Sequence, residues 1–417
     1  MPTVHLYIVG SSNRLLAVVG IIILLFSTAL GLVLFSSCWN RNFDKNGTGN
    51  VKNTTHSEAN KRDKTKKNKT ANEIEREVDR KNDSLSKAKI QLGQYLFYDT
   101  RLSANNTKSC ASCHAPELAF SDGYRRSSGI YADQTRHNAP SLLNVGSRHS
   151  LTWADPHLHD LEKQMLIPLF GTDPIEMGAK GHEKTIYERL EQDSLYRQLF
   201  QKAYPKHQNP ISFDHIIACI ASFLRTLRSQ QALFETNNQN EIDLENKDTN
   251  KCENGNKDSL NLNDTPKILI KKGQKLFFSK RLNCAACHNG PDLGNPEQGQ
   301  AFANIGLQNL LPHKNDKSIP KKRTKTANKG QIRIPALRNV AITAPYLHDG
   351  SVANLSELVD LYQQIGQLPN RDPRLSIFTL SNDEKQQLIA FLHSLTDTSF
   401  LKNPNFLNPF AQQQSNP

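Results

Sequence analysis

The stretch "KSCASCHAPELAF", Lys108–Phe120, places two thiols and an imidazole within five consecutive positions. The stretch "LNCAACHNG", which begins at Leu282, repeats the same C-x-x-C-H order in the second half of the chain. The cysteines and histidines of the two runs are Cys110, Cys113, His114, Cys284, Cys287 and His288. Any prediction of the fold must explain why this arrangement occurs twice.

Three kinds of site use closely spaced cysteines. A thioredoxin-type redox pair needs a strand before it and a helix after it, and the surrounding sequence has no such pattern. A structural zinc site would use two C-x-x-C pairs close together, whereas these pairs lie far apart in the sequence. In covalent c-type haem attachment, the two thiols reach the two vinyl groups on one edge of a porphyrin, and the next histidine ligates the iron. We therefore predict two covalently bound c-type haems, with His114 and His288 as the proximal ligands.

The sequence around each C-x-x-C-H run is also repeated. "GQYLFYDTRL" from Gly93 resembles "GQKLFFSKRL" from Gly273, and "APSLLNV" from Ala139 resembles "IPALRNV" from Ile334. The segment "DHIIACIASFLRTLRS" from Asp214 has apolar residues at helical spacing, and no long run alternates with period two. The sequence thus predicts an all-α fold with two cytochrome c-like helical domains in tandem, each carrying one haem.

Two further local features have structural interpretations. "SNDEKQQLIAFLHSL" opens with Ser381 and Glu384 at capping-box spacing, so we expect a helix to begin there. Cys219 flanks the apolar face of the helix predicted from Asp214, so we expect it to be a packed thiol.

The N-terminal region predicts export. Leu15–Phe35 contains no charged residue and is followed by "SSC", which ends at Cys38. This pattern is that of a lipoprotein signal cleaved before Cys38 or of an uncleaved membrane anchor, and the sequence leaves both open. Either one would place the rest of the chain in the periplasm, tethered to the membrane.

Composition shifts divide the chain into six predicted segments. They are a signal or anchor (1–38), a flexible polar tether (39–85), a first cytochrome c-like domain (86–234), a polar inserted linker (235–265), a second cytochrome c-like domain (266–402) and a C-terminal tail (403–417). The formal charge of +12 comes largely from basic tracts near residue 60 and from residue 312 onward. Tracts of this kind are typical of solvated linkers and loops, so we predict no nucleic-acid partner.

Several motifs resemble the bacterial di-haem cytochrome c peroxidase and MauG family. They are the repeat itself, "NAPSLLNV", "LTWADPHLHDLEKQMLIPLFGTDPIEMG" and "RIPALRNVAITAPYLHDGS". The resemblance covers about residues 88–401, and "LTWADP", "IPLFG" and "FLKNPNF" are most similar to the MbnH branch, whose members oxidise a tryptophan of a copper-binding partner protein.

The resemblance implies roles for individual residues. Glu176 matches the distal carboxylate that moves protons during peroxide cleavage, Gln164 matches the glutamine beside it, and Trp153 matches the indole between the haems. Tyr362 falls where MauG and MbnH have a tyrosine that ligates the second haem iron. A calcium site between the domains is implied as well, with Asn138, Thr343 and Pro345 as its ligands.

Without the resemblance, some of these residues have ordinary structural interpretations. Glu176 would be a solvated cap residue, Trp153 a core residue, and Tyr362 a packing residue at helical spacing from Leu355 and Leu358. The second domain contains no methionine, so no local thioether can ligate its haem iron.

This sequence departs from the family pattern in two places. The histidine that blocks the peroxide-reactive haem at rest in many peroxidases has no counterpart in "SSGIYADQT", and His137 lies too close to Asn138 to replace it. The first haem is therefore expected to be open and five-coordinate. The segment between Gln164 and Glu176 is slightly longer than is usual in the family.

These features predict a peroxide-dependent di-haem oxidoreductase. Its electrons would come from a small redox protein, such as a cytochrome c or a cupredoxin, or from a side chain of a copper-binding partner protein. The alternative is a two-haem electron-transfer protein without peroxide chemistry. Its first haem would need a sixth ligand, and Met165 and Met177 are the thioethers of that domain.

Overall fold

The computed structural model describes residues 71–232, 266–294, 301–307, 330–369 and 371–413, with side chains from Asp83 to Ala411. These residues belong to one compact unit, Lys69–Pro417. The predicted signal or anchor, the inserted linker and the basic loop from residue 312 lie outside the described residues. Within the described ranges, no helix has the length and apolarity that crossing a membrane requires.

The first lobe is built from helices. Their bounds are α1 Ala71–Tyr98, α2 Leu161–Phe170, α3 Glu183–Gln192, α4 Ser194–Ala203 and α5 Phe213–Leu224. The side-chain hydroxyl of Ser212 accepts from the backbone N–H of His215 and so begins α5. The apolar face predicted for this segment is confirmed, because Ile216, Ile220 and Phe223 are at most 1 % exposed.

The second lobe has the same plan with fewer helices. Its helices are α6 Pro266–Phe277, α7 Leu355–Ile365 and α8 Asn382–Ser394, and a short antiparallel pair joins β1 Phe302–Ala303 to β2 Ile332–Arg333. Ser381 and Glu384 form the predicted capping box at the start of α8.

A glycine lets the helices cross closely in each lobe. A Cβ added at Gly93 of α1 would overlap the carbonyl oxygen of Cys219 in α5, and one at Gly273 of α6 would overlap that of Gln387 in α8. Gly93 and Gly273 are the first residues of the repeated ten-residue stretch. The repeat therefore marks one helix crossing in each lobe, and Cys219 is a fully buried packing residue, as predicted.

A buried polar network joins the two lobes. Asn144 of "APSLLNV" and Asn339 of "IPALRNV" occupy matching positions in the two lobes. Both adopt a left-handed backbone, with φ of 57° and 62°. The side chain of Asn144 exchanges hydrogen bonds of 2.9 and 3.0 Å with the backbone of Ser229, and Asn339 donates to the Ser229 hydroxyl at 2.8 Å. That hydroxyl in turn donates to Asp397 at 3.1 Å. Because all four residues are buried, this network fixes how the lobes meet.

The C-terminal segment returns to the first lobe. The Tyr98 hydroxyl donates to the Phe406 carbonyl at 2.5 Å, and the ring of Phe410, in α9 Pro409–Gln413, lies 5.3 Å from that of Tyr95. Residues predicted to be a tail are thus packed against the first lobe.

The structure corrects the end of the predicted tether. Helix α1 begins at Ala71, so residues 71–85 are helical rather than part of a flexible segment. Residues with good helix propensity, such as Glu and Arg, outweigh the polar composition that predicted a tether here.

Candidate functional site

In the first lobe, the C-x-x-C-H run forms a tight turn. The backbone N–H groups of Cys113 and His114 donate to the Cys110 carbonyl at 3.2 and 3.0 Å, which places both thiols and the imidazole on one short loop. The Nδ1 atom of His114 lies 2.8 Å from the carbonyl oxygen of Phe120. A carbonyl can only accept, so Nδ1 carries the proton and the lone pair is on Nε2.

The second lobe repeats this geometry. The N–H of His288 donates to the Cys284 carbonyl at 2.8 Å, and its Nδ1 atom lies 3.0 Å from the Leu293 carbonyl. Burial lowers the pKa of His288 to about 4, so the ring is neutral. The described cysteines form no disulfide. Paired thiols and a neutral imidazole oriented by a backbone carbonyl are the donor set that a covalently attached haem needs, so these residues fit the group.

A cavity of about 220 Å³ adjoins the second C-x-x-C-H turn. Cys284, Cys287 and His288 line it on one side, and Trp153 lines it from the first lobe. Many of the remaining lining residues are apolar side chains of the second lobe, such as Leu388. The cavity beside the two thiols therefore has many apolar side chains in its wall, as binding of an apolar macrocycle requires.

Tyr362 of α7 lines the same cavity. Burial raises the pKa of its phenol well above the usual value, and the thiols of Cys287 and Cys284 raise it further. The Tyr362 hydroxyl is therefore near the predicted haem attachment site, where a phenolate could ligate a metal.

Glu176 lies beside the first attachment site. Its carboxyl acts electrostatically on the Cys113 thiol, and burial raises the pKa of Glu176. The Ile130 N–H donates to the Glu176 carbonyl at 3.1 Å, and a Cβ at Gly129 would overlap the Ile175 carbonyl. The loop before Asn138 thus packs closely against the backbone that carries Glu176, and the carboxyl retains its proton to higher pH than an exposed one.

Gln164 is half-buried on α2, next to the segment that carries Glu176. The N–H of Met177 donates to the Pro168 carbonyl of α2 at 3.0 Å, and this bond aligns the segment with the helix. In the described part of the chain, no hydrogen bond joins Gln164 to Glu176. The structure therefore brings the two residues onto neighbouring segments without a hydrogen bond between them.

Trp153 lies where the lobes meet and is 8 % exposed. Its indole N–H donates to the Asn138 carbonyl at 2.8 Å. Its own carbonyl accepts from the N–H of Arg333 in β2 at 2.8 Å. Trp153 is thus fixed by one side-chain bond within the first lobe and by one backbone bond from the second.

Arg333 was not identified from the sequence as a site residue. Its guanidinium carbon lies 5.1 Å from the centroid of the Trp153 ring, and the residue is only 5 % exposed. A single charge in the apolar run "IRIPAL" is the signal that could have identified it, because a charged residue there must be buried with specific partners.

The three predicted calcium ligands line the cavity that Trp153 also lines. Asn138 comes from the first lobe, and Thr343 and Pro345 come from the second. The amide nitrogen of Asn138 donates to the Tyr124 carbonyl at 2.7 Å, which fixes the direction of its side-chain oxygen. Among the described residues, no three His, Cys, Asp or Glu side chains are grouped as a metal site. A calcium ion here would instead be held by amide, hydroxyl and carbonyl oxygens.

Two protein-family models match the chain, one in each lobe. The model for di-haem cytochrome c peroxidase matches residues 87–243, and the model for cytochrome c matches residues 270–396. The unmatched residues between them, 244–269, overlap the predicted inserted linker.

Proteins with known names match most of the chain. The methylamine utilization protein MauG of Methylorubrum extorquens is 30% identical over 314 residues, which cover 75% of this chain and 79% of that protein. The cytochrome c551 peroxidase of Nitrosomonas europaea is 30% identical over 330 residues, covering 78% and 84%. A crystal structure of a MauG-like protein associated with microbial copper homeostasis is 34% identical, covers 78% of this chain and 93% of that protein, and superposes with a TM-score of 0.63.

Proposed function

This chain belongs to the di-haem cytochrome c peroxidase and MauG family and is an oxidoreductase with two c-type haems, and from this premise we propose that it uses hydrogen peroxide as its oxidant outside the cytoplasm. The observation that supports this most strongly is the half-buried Glu176 carboxyl beside the first attachment turn, whose pKa is raised by burial. An electron carrier has no use for an acid–base group there, whereas peroxide reduction consumes protons.

The haems, when bound, supply the redox-active iron at which peroxide is reduced and oxidising equivalents are held. Reduction of one peroxide to two waters takes two protons and two electrons. Glu176 keeps its proton to higher pH than an exposed carboxyl does, and it can pass this proton between the two peroxide oxygens. His114 and His288 would hold the two irons through Nε2, because their Nδ1 atoms donate to backbone carbonyls.

We assign the two lobes different tasks. The first lobe has the carboxyl and therefore reacts with peroxide. The second lobe has Tyr362, whose phenolate is a hard anionic ligand that favours oxidised iron over reduced iron. Trp153 relays electrons from the second lobe to the first, because it is buried where the lobes meet. We assign Gln164, on α2, a supporting role beside the segment that carries Glu176.

Two sources of electrons fit this arrangement. The favoured one is a side chain, a tryptophan, of a copper-binding partner protein. It is supported by the 34% identity to the MauG-like protein associated with copper homeostasis and by Tyr362 in the second lobe. The second is a small redox protein such as a cytochrome c or a cupredoxin, supported by the 30% identity to a cytochrome c551 peroxidase. Peroxide turnover with reduced cytochrome c, compared with turnover on a tryptophan-containing copper protein, separates the two.

The proposed function is tested by peroxide turnover of the purified two-haem protein. We expect Glu176→Gln to retain both haems and to slow turnover by about 10²-fold or more, the usual scale for loss of an acid–base group. Glu183→Gln, which changes a partly exposed acid at the start of α3, is the matched control. Equal turnover by wild type and Glu176→Gln would remove Glu176 from the mechanism.

We further propose a calcium ion held by Asn138, Thr343 and Pro345. Because its ligands come from both lobes, its removal should disturb electron transfer between the haems more than their attachment. The measurement is the haem spectrum and peroxide activity before and after chelation, with metal analysis to verify removal. Unchanged spectra and activity in the calcium-free protein would contradict this site.

Export and tethering complete the proposal. We propose that Cys38 is lipidated after signal cleavage or that Leu15–Phe35 remains as an anchor. Intact mass analysis of the protein from membranes distinguishes these two forms, and recovery of the full chain from the cytoplasm without haem would contradict export.

A further inference from the structure

Arg333 places a positive charge directly over the face of Trp153. Its guanidinium carbon is 5.1 Å from the ring centroid, which is within the range of a cation–π contact. The N–H of Arg333 donates to the Trp153 carbonyl at 2.8 Å, and its Nε donates to the Thr152 carbonyl at 3.1 Å. Two hydrogen bonds, one from the Arg333 backbone and one from its side chain, therefore hold the guanidinium against this ring.

Arg333 keeps its positive charge although it is buried near a second cation. Burial, and then the neighbouring charge of Arg148, lower the pKa of Arg333 to about 9. The side chain is thus still cationic at neutral pH. A buried guanidinium needs specific partners, and among the described residues the face of the Trp153 ring is one of them.

The indole N–H of Trp153 donates to a backbone carbonyl, which is too weak a base to take up the proton. Its partner is the Asn138 carbonyl, at 2.8 Å. If Trp153 loses an electron, the proton therefore stays on the ring, and the ring becomes a radical cation. A fixed positive charge stabilises the neutral ring and repels the oxidised one, because the attraction between cation and π face is lost when the ring itself is positive.

We propose that Arg333 is a positioning residue for Trp153 that keeps the oxidising equivalent from settling on the indole. This rests on the proposed function, in which Trp153 relays electrons. In each passage the indole gives one electron to the first site, where peroxide is reduced, and regains one from the second site, so the ring ends unchanged. Arg333 shortens the time spent in the oxidised form and so protects the ring from reaction with water or oxygen.

The test uses variants of the full two-haem protein. Arg333→Gln and Arg333→Met remove the charge, and Arg333→Lys keeps it. Arg101→Gln is the matched control, because Arg101 also lies over a buried aromatic ring, 4.9 Å from the centroid of Tyr196, outside this site. Each protein is given excess peroxide with reduced cytochrome c, and tryptic peptides are analysed for oxygen atoms added to Trp153. Rapid-freeze EPR measures the organic radical in parallel.

We expect the neutral variants to show about tenfold more Trp153 oxidation per peroxide consumed, together with a larger radical signal, the fold-change that about 1.4 kcal/mol produces. Arg333→Lys and Arg101→Gln should remain near wild type. The inference is overturned if a folded neutral variant matches wild type, or if Arg333→Lys oxidises Trp153 as much as Arg333→Gln does.

Trp153→Phe separates this inference from the function on which it rests. If Trp153→Phe passes electrons between the haems as fast as wild type, the relay assigned to Trp153 is wrong. If Trp153→Phe is slow but the neutral Arg333 variants leave Trp153 intact, only the role of Arg333 is wrong.

Discussion

Replacement of Trp153 by Phe should weaken the protein and slow electron transfer between the lobes, for separate reasons. Phe cannot donate the 2.8 Å hydrogen bond to the Asn138 carbonyl, so a buried acceptor is left unsatisfied. It also leaves part of the indole space empty and gives Arg333 a weaker π face. Together these losses should lower the free energy of unfolding by about 2–4 kcal/mol.

The matched control for this prediction is Tyr98→Phe. It also deletes one buried donor to a backbone carbonyl, that of Phe406, but at the contact between α1 and the C-terminal segment. We expect it to cost about 1–3 kcal/mol and to leave electron transfer unchanged. Both variants should therefore lose stability, and only Trp153→Phe should slow electron transfer between the lobes.

Two measurements check this prediction. Hydrogen exchange of the peptides around residues 138 and 153 reports local stability, since opening should become easier there in Trp153→Phe. Stopped-flow spectroscopy with one equivalent of peroxide reports how fast the second haem responds to the first. If Trp153→Phe and Tyr98→Phe give the same response, slower transfer reflects lost stability and the relay is refuted.

Three further predictions follow from the site. Changing Cys110 or Cys284 to Ala should remove or weaken one haem, seen as about half of the pyridine-haemochrome signal, whereas two intact haems in both variants would contradict covalent attachment at these turns. Because burial raises the pKa of Glu176, the folded protein binds that proton more tightly than the unfolded chain, and the group costs stability as pH rises. Glu176→Gln should thus be more stable than wild type at neutral pH in thermal melts, with the gain vanishing below about pH 4, where the carboxyl is protonated in both states; a gain that persists there would contradict the assigned cause. Tyr362→Phe should keep both haems but lose the oxidising equivalent stored on the second one, and Tyr362→Met should raise the reduction potential of that haem; a wild-type peroxide response and potential in both variants would exclude Tyr362 as a ligand.

The elements that sequence could predict are those governed by local pattern. The helix from Asp214 and the capping box at Ser381 follow from residue spacing alone. The repeated Gly93 and Gly273 mark the helix crossings, because a close approach of two backbones requires a residue without Cβ. The two attachment turns follow from the C-x-x-C-H spacing.

Contacts between distant segments could not be predicted in this way. The return of the C-terminal segment to Tyr98 depends on packing between residues about 300 positions apart. The position of Arg333 over Trp153 depends on how the two lobes meet, which no local pattern encodes. Gln164 shows the same limit, because its distance from Glu176 is set by how α2 packs against the following segment.

The central claim is that one haem is open for peroxide while the other is fully ligated. An EPR spectrum of the resting ferric protein tests it most directly. We predict a high-spin ferric signal from the haem attached at Cys110 and Cys113, beside a low-spin signal from the haem in the cavity with Tyr362. Two low-spin signals, with no high-spin iron, would contradict the account and identify a two-haem electron-transfer protein.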